Sequence, residues 1–257
     1  KIIDDDKINF TFFIKESEKF YVERVNIFGN NVTQEEFIRN QLIVDEGDPF
    51  NVLLHNKSLN NLKSKGIFGS AESKIRDGSE NGQKIIDITI TEKPTGEISA
   101  GAGYGSSGST LSFGIKENNF NGKGINLNTN LSITEESIRG MFAYTHPNFA
   151  YSDRSLTTSL QSTVTDKEKD YGYKSSLNSI SLGTGYEQYK DLYFYPSISI
   201  SGESLTTTAN ASANYKKQEG SYFDTLFNYS ITYDKRNSRY QPTDGFKSTW
   251  LQNLPIL

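Results

Sequence analysis

The feature that most constrains this chain is a long series of segments in which apolar and polar side chains alternate. Residues 94–257 contain about nine such segments of roughly ten residues each, a length that crosses a bilayer as a tilted strand. In residues 125–133 the odd positions hold Ile, Leu, Thr, Leu and Ile, while the even positions hold Asn, Asn, Asn and Ser. The whole series predicts a transmembrane β-barrel. A soluble β-sandwich or a solenoid is the alternative, because single soluble strands also alternate.

The composition excludes other ways of meeting a membrane or a nucleic acid. Hydrophobic residues make up 34% of the chain, and apolar runs such as residues 42–44 are too short for a helix that spans a bilayer. A closed sheet is the other structure that satisfies every backbone group in lipid. The net charge of -4 provides no basic surface, so no nucleic-acid partner is predicted. The absence of cysteine fits an oxidising compartment such as the periplasm.

The residues before position 94 are more charged and predict a small α+β domain in the order β-α-α-β-β. A strand over residues 21–28 ends at a Gly-Asn-Asn turn. Thr33 and Glu36 have the spacing of a capping box for a first helix. A second helix is predicted from Asn51 to Lys65, with Gly66 as its stop. The remaining predictions are an apolar stripe on this helix (Leu53, Leu54, Leu59, Leu62) and strands over residues 71–76 and 84–91.

The start of the chain repeats a pattern found at the end of this domain. Residues 8–16 and 85–92 both alternate apolar and polar side chains, and both end in Glu. The pattern predicts that residues 1–17 are the tail of a preceding copy of the same domain. Two unrelated edge strands that happen to end in Glu are the alternative.

Two ordered sets of motifs carry a family resemblance. Phe-Gly-Asn at 28–30, Gly-Asp-Pro-Phe at 47–50, the segment at 62–68 and Ile-Thr-Ile-Thr-Glu at 88–92 resemble a polypeptide-transport-associated (POTRA) domain. The motifs that follow, at 101–105, 118–124, 145–149 and 240–245, resemble the successive strands and turns of the BamA family, the central subunits of the outer-membrane barrel assembly machinery. Each motif alone is common, but their order and spacing are specific.

The resemblance implies a POTRA domain followed by the first part of an antiparallel transmembrane β-barrel in the bacterial outer membrane. Residues 1–17 are then the tail of a preceding POTRA repeat, residues 18–93 a periplasmic POTRA domain, and residues 94–257 the N-terminal half of the barrel. About nine of the roughly sixteen strands of the family are expected, and bacterial barrels have even strand numbers. The chain is therefore expected to be a fragment.

Possible signals of catalysis or cofactor binding have simpler explanations. Residues 103–108 fit the dinucleotide fingerprint G-x-G-x-x-G, but residues 111–115 continue as a strand where a helix N-terminus would have to receive the pyrophosphate. His55 and His146 have no His or Cys at ligand spacing. No G-x-S-x-G elbow occurs. We therefore expect a protein that is not an enzyme and that uses no cofactor or metal.

Binding is predicted at the first barrel strand. In the family this strand pairs weakly with the last one, and the seam between them opens so that a client strand adds to the exposed edge by β-augmentation. Here residues 96–105 include four glycines, which weaken pairing or else relieve crowding at a bend of the barrel; the sequence leaves both explanations open. The predicted client-binding residues are Gly96, Glu97, Ile98, Ser99, Ala100, Gly101, Ala102, Gly103 and Tyr104.

A second predicted site lies in the POTRA domain. In the family this domain docks periplasmic lipoprotein subunits through an acidic residue late in its first helix. The matching position here is Gln41, so the ion pair expected there is absent. Asp45 and Glu46 are the nearest carboxylates that could replace it.

The function implied by the resemblance is the folding and insertion of β-barrel proteins into the outer membrane. The implied partners are unfolded outer-membrane protein clients, the lipoprotein subunits and the lipid bilayer. A two-partner secretion translocator or an autotransporter assembly factor is the first alternative, since both share the POTRA-and-barrel construction. A passive porin has no use for a POTRA domain, and an esterase fused to a barrel would need a catalytic domain upstream.

Overall fold

The computed structural model describes residues 2–4, 7–9, 13, 18–105, 108–237 and 242–256. The chain divides into two compact units, Lys1–Gly29 with Gln41–Thr91, and Asn30–Asn40 with Glu92–Leu257. In chain order the elements are β1 (Ile2–Asp4), β2 (Lys7–Asn9), β3 (Tyr21–Phe28), α1 (Glu35–Arg39), α2 (Val52–Ser64), β4 (Phe68–Asp77), β5 (Gln83–Glu92), β6 (Gly96–Gly105), β7 (Gly108–Phe120), β8 (Ile125–Thr134), β9 (Ser137–His146), β10 (Ser155–Lys167), α3 (Glu168–Tyr171), β11 (Tyr173–Tyr189), β12 (Leu192–Thr207), α4 (Ala213–Lys217), β13 (Gly220–Asp234) and β14 (Lys247–Pro255).

The first unit is built on a three-stranded sheet in the order β3-β5-β4, with β3 parallel to β5. Val22 and Val25 of β3 and Ile86 and Ile88 of β5 are at most 2% exposed, and with Leu62 of α2 they form the core of this unit. The short strands β1 and β2 pair with each other. Most of residues 1–17 lie outside the described residues, so the upstream-repeat interpretation stays a prediction.

The second helix has the predicted ends but a different buried face. The side chain of Asn51 caps α2 by accepting hydrogen bonds from the N–H groups of the two leucines that follow Val52, at 2.9 and 3.2 Å. Of the predicted apolar stripe, only Leu62 is fully buried, whereas Leu53 is 78% exposed. The buried positions are His55, Ser58 and Leu62. The stripe was wrong because His55 and Ser58 are buried through hydrogen bonds, which hydrophobicity alone does not indicate: the ring Nε2 of His55 lies 2.7 Å from the hydroxyl of Ser73.

The capping box predicted for the first helix is not formed. The N-cap residue of α1 is Gln34, and its side chain makes no capping hydrogen bond. The hydroxyl of Thr33 instead accepts a hydrogen bond from the side-chain amide of Asn119, at 2.9 Å. A partner far along the chain has therefore replaced the local cap, and sequence spacing alone could not predict that competition.

The second unit is dominated by one antiparallel sheet of nine strands in the order β14-β13-β12-β11-β10-β9-β8-β7-β6. Each strand pairs with the next one along the chain, which is the up-and-down arrangement of a membrane barrel wall. The predicted strand number and fold class are confirmed. Strands β10 to β13 are longer than predicted, at 13 to 17 residues. Since about ten tilted residues cross the hydrocarbon, these strands extend beyond it.

The short helices α3 and α4 occupy connections of this sheet. Each has at most five residues. None of the helices in the described part of the chain combines the length and the apolar character that crossing a bilayer would require.

The register of the sheet separates an apolar face from a polar one. Partners directly opposite each other in antiparallel strands share a face. One continuous row across β6 to β13 is Ile98, Ile115, Thr129, Phe142, Leu160, Ile180, Ile200 and Thr225. The adjacent row on the other face is Ser99, Gly114, Asn130, Met141, Gln161, Ser179, Ser201 and Asp224. The six hydrophobic residues of the first row are 37–83% exposed, which fits a surface that lipid covers.

Candidate functional site

The first strand of the sheet lies at an edge. β6 occupies the predicted residues Gly96–Gly105 and, among the described residues, pairs with β7 alone. All ten of its residues are exposed. In an antiparallel pair, every second residue directs its N–H and C=O groups away from its partner strand. One side of β6 is therefore a row of backbone donors and acceptors that the described residues leave unpaired.

The surroundings of the glycines in β6 bear on the two explanations that the sequence left open. No described atom lies within 4 Å of the place that a Cβ would take at Gly103 or at Gly105. Neither glycine has a positive φ. At Gly101 the nearest atom is the hydroxyl of Ser112, 2.9 Å away on a side chain that can turn aside. Within the described chain, crowding does not explain Gly103 and Gly105; they leave the strand with few side-chain contacts.

The residues of the dinucleotide fingerprint form the beginning of a hairpin. Gly105 pairs with Gly108, and β7 continues from there as a strand of 13 residues. Residues 106 and 107 of the motif lie outside the described residues. The helix N-terminus that a pyrophosphate requires is replaced by a strand, as predicted.

The opposite end of β6 adjoins a network of hydrogen bonds around Glu92, the last residue of β5. The carboxylate of Glu92 accepts three backbone N–H groups, from Asn31 at 3.0 Å, from Val32 at 2.9 Å and from Thr33 at 2.6 Å. Burial alone would raise the pKa of Glu92, but the hydroxyl of Thr33 and the three N–H groups together lower it below its ordinary value. Glu92 is therefore held as a carboxylate.

The network continues through the end of β7 and into the turn between β7 and β8. Asn119 donates to the Thr33 hydroxyl at 2.9 Å through its side-chain amide, and its amide oxygen accepts the N–H of Gly124 at 2.8 Å. The N–H of Asn119 donates to the carboxylate of Glu117 at 2.7 Å. That carboxylate also accepts the hydroxyl of Thr95, the residue directly before β6. Hydrogen bonds through Thr33, Asn119 and Glu117 therefore connect Glu92 to Thr95, the residue at the base of β6.

Two glycines allow this turn to approach residues 30–40 closely. Gly122 and Gly124 have φ values of +70° and +63°. A Cβ at Gly122 would collide with the carbonyl of Val32, and one at Gly124 would collide with the ring of Phe37. The N–H of Gln34 donates to the carbonyl of Gly122 at 2.8 Å. The Asn-Phe-x-Gly-x-Gly motif is thus explained by a close contact as well as by a turn.

The predicted partner-binding residues of the first unit are engaged locally. Gln41 is only 7% exposed. Glu46 accepts the N–H of Val25 at 3.0 Å, and the carboxylate of Asp45 accepts the N–H of Glu46 at 2.8 Å. Asp45 and Glu46 are exposed in this unit. Their role in docking stays a prediction.

Sequence reasoning missed Glu92, Thr33 and Asn119 as a connected set. Glu92 had been considered as the end of a strand, and Thr33 as a local helix cap. The signal available in the sequence was the Asn-Phe-x-Gly-x-Gly motif, since two glycines close together mark a place where backbone approaches backbone. It gave no indication of which segment approaches.

Comparison with known families identifies the two parts. Residues 20–93 match the POTRA model, described as a surface antigen variable number repeat. Residues 119–256, more than half of the chain, match the Omp85 superfamily domain. The chain belongs to the Omp85 superfamily.

Relatives within this superfamily include curated assembly factors. The chain is similar to the outer membrane protein assembly factor BamA of Neisseria meningitidis, with 23% identity over 246 residues that cover 95% of this chain and 30% of that protein. A putative outer membrane protein assembly factor of Treponema pallidum is 27% identical over 136 residues, which cover 51% of this chain and 16% of that protein. The chain thus spans about a third or less of the length of these relatives.

Solved structures share the fold. BamA from Haemophilus ducreyi lacking POTRA domains 1-3 superposes with a TM-score of 0.72 at 22% identity, covering 92% of this chain and 48% of that one. CdiB from Escherichia coli superposes with a TM-score of 0.58 at 11% identity, covering 92% of this chain and 46% of that one. The fold of this Omp85 chain is a POTRA domain followed by a nine-stranded antiparallel sheet like the corresponding part of the BamA barrel.

Proposed function

We propose that this chain is part of an outer-membrane protein assembly factor of the BamA type, in which β6 is the edge that receives a client strand. The protein is an outer-membrane protein with its POTRA domain in the periplasm. The names of the curated relatives support the assembly role. The observation that carries the proposal is that β6, the strand at the end of the sheet that directly follows the POTRA domain, is rich in glycine and has open space beside Gly103 and Gly105 among the described residues.

The mechanism is β-augmentation at this edge. An incoming strand gains affinity from backbone hydrogen bonds, which do not depend on its side-chain sequence, so one edge serves clients of different sequence. The glycines of β6 assist because Gly103 and Gly105 give the strand few side-chain contacts, so that its native pairing is weak and its edge is available for exchange. Residues 96–104 are the binding residues in this mechanism, and chemistry on the client is not required.

The proposed partners follow from the two faces and the two units. Unfolded outer-membrane proteins are the clients, and the bilayer is the partner of the apolar row from Ile98 to Ile200. Periplasmic lipoprotein subunits are the proposed partners of the first unit. Asp45 and Glu46 are the carboxylates offered for that contact, since Gln41 is buried.

A secretion translocator of the same superfamily is the second candidate. CdiB has the same general fold, which supports this alternative at the level of architecture. The curated relatives that cover most of this chain are named BamA, and they favour assembly. A passive porin is disfavoured because the POTRA match at residues 20–93 has no role in passive diffusion.

A proline in β6 tests the proposal. Replacing Ala102 by Pro removes a strand N–H and places a ring at the edge, so we expect client assembly by the complete protein to slow by about fivefold or more, the equivalent of one backbone hydrogen bond of ~1 kcal/mol. Ala102→Ser keeps the backbone donor and is the matched control. Assembly is measured as the rate at which a model barrel client becomes protease-resistant in vesicles. Equal rates for Ala102→Pro and the parent protein would contradict the proposal.

A further inference from the structure

The two ends of β6 are held very differently. Before its first residue, the carbonyl of Thr95 accepts both the backbone N–H and the side-chain amide of Asn118, each at 3.3 Å, and the Thr95 hydroxyl donates to Glu117. At the other end, Gly105 is paired with Gly108 of β7, and no described atom lies within 4 Å of a Cβ placed on Gly103 or Gly105. Among the described residues, the side-chain hydrogen bonds to β6 and to the residue before it are therefore concentrated toward its Thr95 end.

The polar groups at that end are joined by a series of hydrogen bonds. Glu117 is bonded to Asn119, Asn119 to Thr33, and Thr33 to Glu92. Thr33 is 2% exposed and Asn119 is 6% exposed. A buried polar group that loses its partner pays the full cost of desolvation, so each link stabilises the next one.

The negative charge of Glu92 strengthens the hydrogen bonds at the end of this series. Its carboxylate accepts three successive N–H groups, and hydrogen bonds to a charged acceptor are about twice as strong as neutral ones. An amide in its place offers one oxygen and brings two N–H groups toward donors. Only Lys93 and Pro94 separate Glu92 from Thr95, and Pro94 fixes its own φ and restricts Lys93 to extended geometry. Glu92 is thus connected to Thr95 in two ways. Two residues of the polypeptide chain separate them, and the hydrogen bonds through Thr33, Asn119 and Glu117 join them as well.

We infer that Glu92, Thr33 and Asn119 are positioning residues that anchor the Thr95 end of β6 and so hold that end of the edge in place for an incoming client strand. The benefit to client binding rests on the proposed function. The anchoring of the strand does not, because it concerns only contacts within this chain.

Amide hydrogen exchange in the complete protein, reconstituted in vesicles, tests the anchor. Because a weakly restrained end opens more often, exchange in the parent protein is expected to be about tenfold slower over residues 95–98 than over residues 101–105. Glu92→Gln and Thr33→Val remove the charge and the hydroxyl, and we expect each to raise exchange over residues 95–98 by about tenfold. Thr33→Ser keeps the hydroxyl and should restore slow exchange.

The matched control is Glu135→Gln. The carboxylate of Glu135 also accepts a backbone N–H, from Ser109 at 3.0 Å, but at the opposite end of the β6–β7 hairpin. This variant should leave exchange over residues 95–98 unchanged. The anchor is overturned if Glu92→Gln leaves that exchange unchanged, or if it raises exchange equally along the whole of β6, which would indicate general loosening.

A second readout separates the anchor from the client function. Cysteines placed singly at Glu97 and at Tyr104 report contact with a client strand that carries its own cysteine. The inference expects Glu92→Gln to weaken the crosslink at Glu97 more than the crosslink at Tyr104. Equal loss at the two positions contradicts an anchor that acts on the Thr95 end. If exchange behaves as expected but no client crosslink forms at either position, the proposed function fails and the anchor stands.

Discussion

At the residue scale, the carboxylate of Glu92 is stabilised in its ionised form. It accepts hydrogen bonds from three successive N–H groups, and its pKa is below the ordinary value of 4.5. A lowered folded-state pKa means that the stabilisation is fully present above the unfolded-state pKa. It is lost as the pH falls through the lower folded-state value.

This gives a pH prediction for Glu92. The free energy of unfolding of the parent protein should exceed that of Glu92→Gln by a constant amount from neutral pH down to about 4.5, and the difference should shrink only below that. Denaturant unfolding of both proteins across this range measures it. A difference that has already disappeared at or above 4.5 would show that the carboxylate is not held in its charged form.

At the element scale, the two faces of β8 differ in what they contact. Leu131 lies opposite Phe113 of β7 on the apolar face, and Asn130 lies opposite Gly114 on the polar face. The side chain of Asn130 donates to that of Asn128, two residues earlier on the same face, at 2.9 Å. We therefore expect Leu131 to face lipid and Asn130 to lie on the polar face of the sheet.

Arginine substitution tests the faces. Leu131→Arg places a charge toward lipid and should cost ~2–4 kcal/mol near the middle of the bilayer, with smaller costs near the interface. Asn130→Arg, its neighbour on the polar face, is the control and should cost much less. The measurement is the free energy of unfolding of the complete protein in vesicles. Equal costs at the two positions would mean that the faces are assigned wrongly.

Strand limits could be predicted from the sequence where alternation meets a turn signal. β3 and β6 begin and end at the predicted residues, because glycine and asparagine turns follow runs with a period of two. The buried face of α2 could not be predicted, since burial of His55 and Ser58 depends on partners in space. The range of α2 could be predicted, because Asn51 is a local start signal and Gly66 is a local stop signal.

The anchor could not be predicted for a related reason. Thr33, Glu92 and Asn119 lie far apart in the sequence, and each has a plausible local role. Only the folded chain brings them together. The role of the glycines in β6 stays a prediction, and among the described residues no atom crowds Gly103 or Gly105.

At the scale of the whole molecule, the chain combines a sheet with an apolar outer face and an edge strand that is restrained at one end. The apolar row places the sheet in lipid, and the backbone of β6 offers hydrogen bonds to another strand. The network around Glu92 holds the base of that strand. The central claim is that this edge is the template for client strands in the complete protein.

The most direct test of that claim is disulfide trapping in the complete protein. Cysteines are placed singly at each position from Glu97 to Tyr104 and paired with cysteines in the terminal strand of a model client. If β6 is the template, crosslinks form in one register with a period of two, because alternate residues of paired strands share a face. If no position from Glu97 to Tyr104 crosslinks while the protein still inserts its client, β6 is not the template and its glycines have only a structural role.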